Sequence, residues 1–238
     1  MIQYIATTGS TNADLSARLG AAESMPEGYW LVADRQNAGR GRQGRVWSDG
    51  AGNFMGSTVV HPQPSDPLPA TLALVAGLAA YEATAPLIPA PARAQLKWPN
   101  DLLIGSAKLC GILLEAAGSA VIVGIGVNLA QAPQVAGRET IALAAFGPPP
   151  DRDLFAASLA AHLDRELGRW RQFGLEPLLC RWLAAAHPVG TPLQVGEPGE
   201  APLSGLFAGL AADGALQLGL ADGTTRTIHA GEVRLAPN

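Results

Sequence analysis

"RQNAGRGRQGRVW", residues 35–47, places Gly39, Gly41 and Gly44 at the G-x-G-x-x-G spacing and sets Arg35, Arg40, Arg42 and Arg45 within eleven positions. The glycine spacing raises a dinucleotide-binding fold. That fold needs its last glycines to open a helix inside a βαβ unit. Here the chain runs instead into the turn-rich "VWSDGAGNF" (46–54) and then into "NFMGSTVV" (53–60), which reads as a strand. No G-K-[ST] follows, so a Walker A loop is excluded too. What remains is a loop whose glycines let a ligand approach the backbone. Its guanidinium groups offer bidentate hydrogen bonds to phosphate or carboxylate oxygens.

The segments around the loop define an α+β architecture. "IQYIA" reads as a strand, and Thr11 with Asp14 has capping-box spacing ahead of a helix of about three turns. "YWLVAD" is a buried strand, residues 67–85 a core helix, and "AQLKW", "DLLIG", "KLCGILLEA" and "AVIVGIGVNL" are four further strands. Neighbouring strands between helices predict a mixed sheet with flanking helices, not a strictly alternating parallel one. Residues 130–140 read as a flexible loop and 151–186 as helical. From "HPVGTPLQV" onward, five short β-type runs, the last of them "VRLAP", with Asp213-Gly214 and Asp222-Gly223 turns predict a small barrel.

Composition narrows the function classes. A net charge of −4 gives no global positive field for a polyanion, so the arginine cluster acts locally. No helix-turn-helix accompanies it, and DNA is not an expected partner. The apolar run "LPATLALVAGLAAYEA" carries Tyr81 and Glu82 and has prolines at both ends, which favours a core helix over a membrane span. Two cysteines and no signal peptide in "MIQYIATTGSTN" point to the cytoplasm. Fourteen arginines stand against only two lysines, Lys97 and Lys108, and both lysines fall in "KWPNDLLIGSAK". A site needing a compact ammonium cannot accept a guanidinium, so these two positions are candidate functional groups.

Together the motifs resemble those of biotin protein ligases. "STN", "GRGRQGRVW", "KWPNDL", "KLCGILLE" and "GIGVNL" occur in the family's order across residues 8–130, and "TIAL" at 140–143 resembles the block that follows its mobile loop. The resemblance implies a catalytic domain over 1–186, related to class II aminoacyl-tRNA synthetases, and an SH3-like barrel over 187–238. It implies that biotin's carboxylate attacks the α-phosphate of ATP, and that a lysine of a biotin carboxyl carrier protein then takes biotin from biotinyl-5′-AMP. Lys108, Arg40 and Arg42 would carry the chemistry. Ser10, Thr11, Asn12, Gln36, Gly39, Gly41 and Gly111 would hold biotin with them, and Arg40, Arg42, Arg45, Asn100, Asp101 and Asn128 would meet the nucleotide.

Mg²⁺ would arrive with ATP, without a protein-only metal site. A homodimer is a state the resemblance allows. Two features depart from the family: "STN" at residue 10 leaves no room for the winged-helix domain of the bifunctional members, and Cys110 replaces a small residue, read here as a packing change. Three rival readings stay open: a lipoate or octanoate ligase, a nucleic-acid-binding module, and a protein that holds biotin without catalysis.

Overall fold

The computed structural model describes residues 1–47, 50–196 and 202–236. Strand β1 (Ile2–Thr8) leads into helix α1 (Thr11–Gly20). The helix starts there because Ser10 is extended, with φ −161°, and its hydroxyl accepts from the Ala13 N–H. The expected cap at Thr11 is therefore corrected by one residue. Thr11 is already helical, its N–H donating to the buried Gln36 Oε1 at 2.7 Å and its hydroxyl lying 2.6 Å from that of the buried Ser57. Asp14, freed from a capping role, accepts from the Thr8 hydroxyl at 2.5 Å.

Strands β2 (Trp30–Gln36), β3 (Phe54–Val60), β4 (Ala94–Lys97), β5 (Asp101–Ile104), β6 (Ala107–Ala117) and β7 (Ala120–Val127) complete a seven-stranded sheet in the order β1-β2-β3-β7-β6-β5-β4. Strands β1 and β2 are parallel, with α1 as their crossover, and every other neighbouring pair is antiparallel. Strand β3 is buried at every residue, as a central strand covered on both faces must be.

Helix α2 (Leu72–Thr84) lies between this sheet and helices α3 (Arg152–Phe173) and α4 (Leu175–Ala185). That position explains its apolar character all round: Leu74, Val75, Leu78 and Ala79 are buried. The segment Pro69–Leu87 is long and apolar enough to cross a membrane, but most of it is inside the protein. The helical region 151–186 is two helices, broken at Gly174, whose φ of 74° suits only a residue without Cβ. Between them the buried Glu166 accepts from Arg169 at 2.6 Å and from Arg181, which ties α3 to α4.

The C-terminal strands β8 (Pro192–Gly196), β9 (Leu203–Leu210), β10 (Leu216–Gly219), β11 (Thr225–Ile228) and β12 (Glu232–Leu235) form an antiparallel sheet in the order β11-β10-β9-β8-β12. Residues 48–49 of the expected "SDG" turn, and Pro237 of the expected "VRLAP" strand, lie outside the described residues. Both Asp-Gly turns are present, with Gly214 and Gly223 at φ 86° and 83°. The two sheets share one apolar core, in which Leu193, Phe207, Leu216 and Val233 pack with the main-sheet residues. Polar pins cross the junction: Trp98 Nε1 donates to the Gly214 carbonyl at 3.0 Å, and Lys97 Nζ to that of Val233 at 2.7 Å.

His187 sits at this junction, 9% exposed, with Nε2 lacking a partner among the described residues. Burial, then the neighbouring Lys97 and Arg93 charges, push its pKa down to about 4. Between pH 6.5 and about 4 the unfolded chain binds a proton that the folded chain excludes, so stability falls as pH drops through that window. His187→Phe should keep stability at pH 7 within about 1 kcal/mol and reduce the acid loss by up to ~3 kcal/mol. Urea titrations at both ends of the window measure this, and an unchanged acid slope would contradict it.

Candidate active site

A cleft of about 990 Å³ opens between the main sheet, the arginine loop and β12. The loop folds back on itself: the Gly41 N–H donates to the Arg45 carbonyl at 2.7 Å, and the Trp47 N–H to that of Gly39 at 2.9 Å. Gln43 and Gly44 turn the chain in the left-handed region, at φ 57° and 70°. Arg40, Gly41, Arg42 and Arg45 thereby line the cleft. Gly39 does not; a Cβ there would lie 2.8 Å from the Trp47 carbonyl, so it packs against the loop's returning limb.

The floor is made of glycines. Gly111 on β6 and Gly126 on β7 are cross-strand partners, and the Trp47 indole lies over both. An added Cβ would fall 2.9 Å from the indole at Gly111 and 2.3 Å at Gly126. Gly124, one step along the same face of β7, leaves room for the Asn12 carboxamide. At that end Ser10, Thr11, Asn12 and Gln36 gather with Ser57 into a polar wall.

The other wall holds the charges. Asp101, on β5, is buried, with Lys108 Nζ 2.5 Å from Oδ1 and Lys97 Nζ 3.0 Å from Oδ2. Burial alone would raise the Asp101 pKa, but the two ammonium groups hold its carboxyl well below the usual range. Lys97, enclosed more completely, has its own pKa lowered by burial against the pull of Asp101. The local sequence aims Lys108 by a β-bulge. Leu102 pairs with Cys110 but Leu103 with Lys108, so Leu109 is an extra residue on β6. Residues three apart on a regular strand face opposite sides; across the bulge, Lys108 and Gly111 share the cleft face.

The two asparagines brace this wall. Asn100 donates to the Ile112 carbonyl at 2.5 Å and accepts from Arg42 at 3.3 Å. Asn128 donates to the carbonyls of Lys108 and Ile141 at 3.3 and 3.1 Å, fastening the bulge to the chain that follows residues 130–140. Cys110 is buried in the strand beneath, its thiol pushed up to about 12 by burial, which leaves it inert. Among the described residues no cluster of three or more His, Cys, Asp or Glu is placed to hold a metal ion.

Several participants went unnoticed in the sequence. Glu232, on β12, accepts from Arg45 at 2.9 Å and from Arg138 at 3.2 Å, so one carboxylate of the second sheet holds both cleft-lining loops. Burial raises its pKa, but Arg45, Arg234 and Arg138 together bring it below the ordinary value. Ser57, inside the strand run 53–60, bonds to Thr11 and Asn12 at the cleft wall. The alternate glycines of "GIGVN" carried a readable signal, since small residues two apart on a strand mark a surface that something else approaches.

Residues 5–130 match the Biotin/lipoate A/B protein ligase family, and residues 194–235 match the Biotin protein ligase C terminal domain. The chain belongs to the biotin/lipoate A/B protein ligase family. Its relatives narrow the class to biotin protein ligases. It is 39% identical over 225 residues to the biotin–[acetyl-CoA-carboxylase] ligase of Paracoccus denitrificans, covering 90% of this chain and 92% of that protein. It is 36% identical to the Mycobacterium tuberculosis protein of the same name, over 98% of this chain and 88% of the other. Among solved structures, biotin protein ligase from Aquifex aeolicus in complex with biotin and ATP matches with a TM-score of 0.86, at 25% identity over 99% of both chains.

If the indole over the glycine floor holds the arginine loop down, Gly126→Ala should lift it. Tryptic cleavage after Arg40, Arg42 and Arg45 should then accelerate about five- to tenfold, as expected when a contact worth ~1 kcal/mol is lost. Cleavage at the wild-type rate would show that the loop is held by other contacts.

Proposed function

We propose that this cleft activates biotin as biotinyl-5′-AMP and passes biotin to a lysine of a carrier domain, so that the chain acts as an ATP-dependent biotin–[acetyl-CoA-carboxylase] ligase. The observation that carries the reading is the convergence of Lys108 with Arg40, Arg42 and Arg45 on one glycine-floored cleft whose far end is polar. In the first step a carboxylate oxygen of biotin bonds to the α-phosphorus of ATP, and pyrophosphate leaves. In the second the carrier amine attacks the acyl carbon, the bond to phosphate breaks with AMP as leaving group, and the amine loses its proton. Each step requires anions to be held together and new charge on phosphate oxygens to be met by fixed cations.

Lys108 stands where the two reacting ends meet. Its bond to Asp101 fixes the ammonium beside Gly111, whose missing Cβ lets Lys108 Nζ and the Trp47 indole lie close against the strand. Arg40 and Arg42 hold phosphate oxygens, and Arg45 reaches them from its place against Glu232. The nucleotide enters as its magnesium complex. Both oxygens of Asp101 are engaged by ammonium groups, which gives that carboxylate a positioning role and leaves the ion to the phosphates. Residues 133–140 line the cleft and are tied beside the arginine loop through Glu232; they close over the adenylate, keeping water from the anhydride.

The polar wall favours biotin over a lipoyl or octanoyl chain, because Thr11, Asn12, Gln36 and Ser57 match a ureido head and have no counterpart in a hydrocarbon. The partner is the biotin-accepting domain of a carboxylase. The catalytic unit is assigned to 1–186, the SH3-like unit to 187–238, and the reaction to the cytoplasm.

Lys108→Ala, with Lys97 still pairing Asp101, should leave the circular dichroism spectrum intact and reduce biotin-dependent pyrophosphate release by about 10²–10⁴-fold. Turnover near the wild-type rate would remove Lys108 from the mechanism. Arg42→Gly should let biotinyl-AMP escape and label bystander lysines; strict labelling of the carrier alone would contradict the clamp.

A further inference from the structure

The polar wall continues away from the cleft to a residue without an assigned role, Glu115 on β6. Asn12 Nδ2 donates to Glu115 Oε2 at 2.6 Å, Ser57 Oγ donates to Asn12 Oδ1 at 2.6 Å, and Ser57 Oγ lies 2.6 Å from Thr11 Oγ1. Thr11 in turn meets Gln36 Oε1 twice, through its N–H at 2.7 Å and its hydroxyl oxygen at 3.1 Å. Each hydroxyl has one proton, so the chain has a direction, and the residue at its end sets it.

Two arrangements put a proton in both hydroxyl contacts, Asn12–Ser57 and Ser57–Thr11. In one, Asn12 gives its NH₂ to Glu115, Ser57 gives its proton to Asn12, and Thr11 gives its proton to Ser57. In the other, Asn12 is turned over, its NH₂ donates to Ser57, Ser57 donates to Thr11, and Thr11 donates to Gln36. The second arrangement points the Asn12 carbonyl at Glu115, oxygen against an acceptor-only carboxylate. Glu115 excludes it. In the arrangement left, the Thr11 proton goes to Ser57 at 2.6 Å, so the longer 3.1 Å contact of Thr11 Oγ1 with Gln36 Oε1 goes without one; each oxygen keeps an acceptor site, and both residues line the cleft.

We propose that Glu115 is a positioning residue for substrate selection: it fixes the hydrogen-bond direction through Asn12 and Ser57, so that Thr11 and Gln36 present a pair of acceptors to a ureido N–H. The inference rests on the biotin reading above. Two adjacent oxygens without a shared proton repel each other, and an N–H donor inserted between them relieves that repulsion. A ligand with an oxygen in place of that N–H adds a third acceptor and is rejected. Gly124 belongs to the same device, since a Cβ there would fall 2.3 Å from Asn12 Oδ1 and displace the carboxamide.

Glu115→Gln keeps the shape but can donate as well as accept, so both arrangements become available. Ser57→Ala cuts the chain in the middle and releases the Thr11 proton to Gln36. The test is calorimetric titration of each full-length variant with biotin and with the cyclic carbonate analogue, in which both ureido N–H groups are replaced by oxygen. The expected result is that the preference for biotin over the carbonate falls about three- to tenfold in both variants. A wild-type preference in Glu115→Gln overturns the proposal, whether both affinities are unchanged or fall together. Wild-type protein that releases no pyrophosphate on addition of biotin would overturn the substrate reading itself, a separate failure.

Discussion

Asp101 held between two ammonium groups is the interaction on which the rest of the structure depends. A carboxylate and two lysines enclosed together leave one positive charge uncompensated, and that charge faces the cleft. Removing the carboxylate would leave two like charges side by side in a poorly solvated place, which is strongly unfavourable. The same cluster joins the sheets, because Lys97 spends another proton on the Val233 carbonyl of β12. Positioning of the Lys108 ammonium and docking of the second sheet are thus one electrostatic arrangement.

Around that cluster, geometry comes from small residues and from one strand defect. The bulge at Leu109 turns Lys108 onto the face that Gly111 leaves open, and the Gly111–Gly126 pair lets an indole lie where side chains would otherwise stand. Glu232 then draws the arginine loop and the 130–140 segment toward the second sheet through Arg45 and Arg138. These arginines are pre-paired with a carboxylate of the protein. A phosphate bound there as proposed would exchange one set of oxygens for another, which lowers the desolvation that binding requires.

What the sequence revealed was what is local. The strand-like run "AVIVGIGVNL", the Asp-Gly turns and the largely apolar 68–83 run each specify an element through neighbours in the chain, and the strands and core helix formed where those patterns placed them. The cap moved from Thr11 to Ser10 because long-range partners claimed the threonine, Gln36 its N–H and Ser57 its hydroxyl. The helical region broke at Gly174, whose backbone conformation no periodicity count registers. The cluster of site residues was legible as motifs, yet their partners were not. Glu232 lies 187 positions from Arg45, and Glu115 lies 103 from Asn12, so only the folded sheets bring them together. The bulge was equally hidden, since "KLCGILLE" reads as an uninterrupted strand.

The account stands or falls on whether this cleft unites an acid with a nucleotide and keeps the product. Incubating the protein with ATP carrying radioactive phosphorus at the α-position, with and without biotin, and passing it through a desalting column measures this directly. The account predicts that label travels with the protein only when biotin is present, and leaves it on addition of the carrier. Label retained equally without biotin, or never retained, would contradict it.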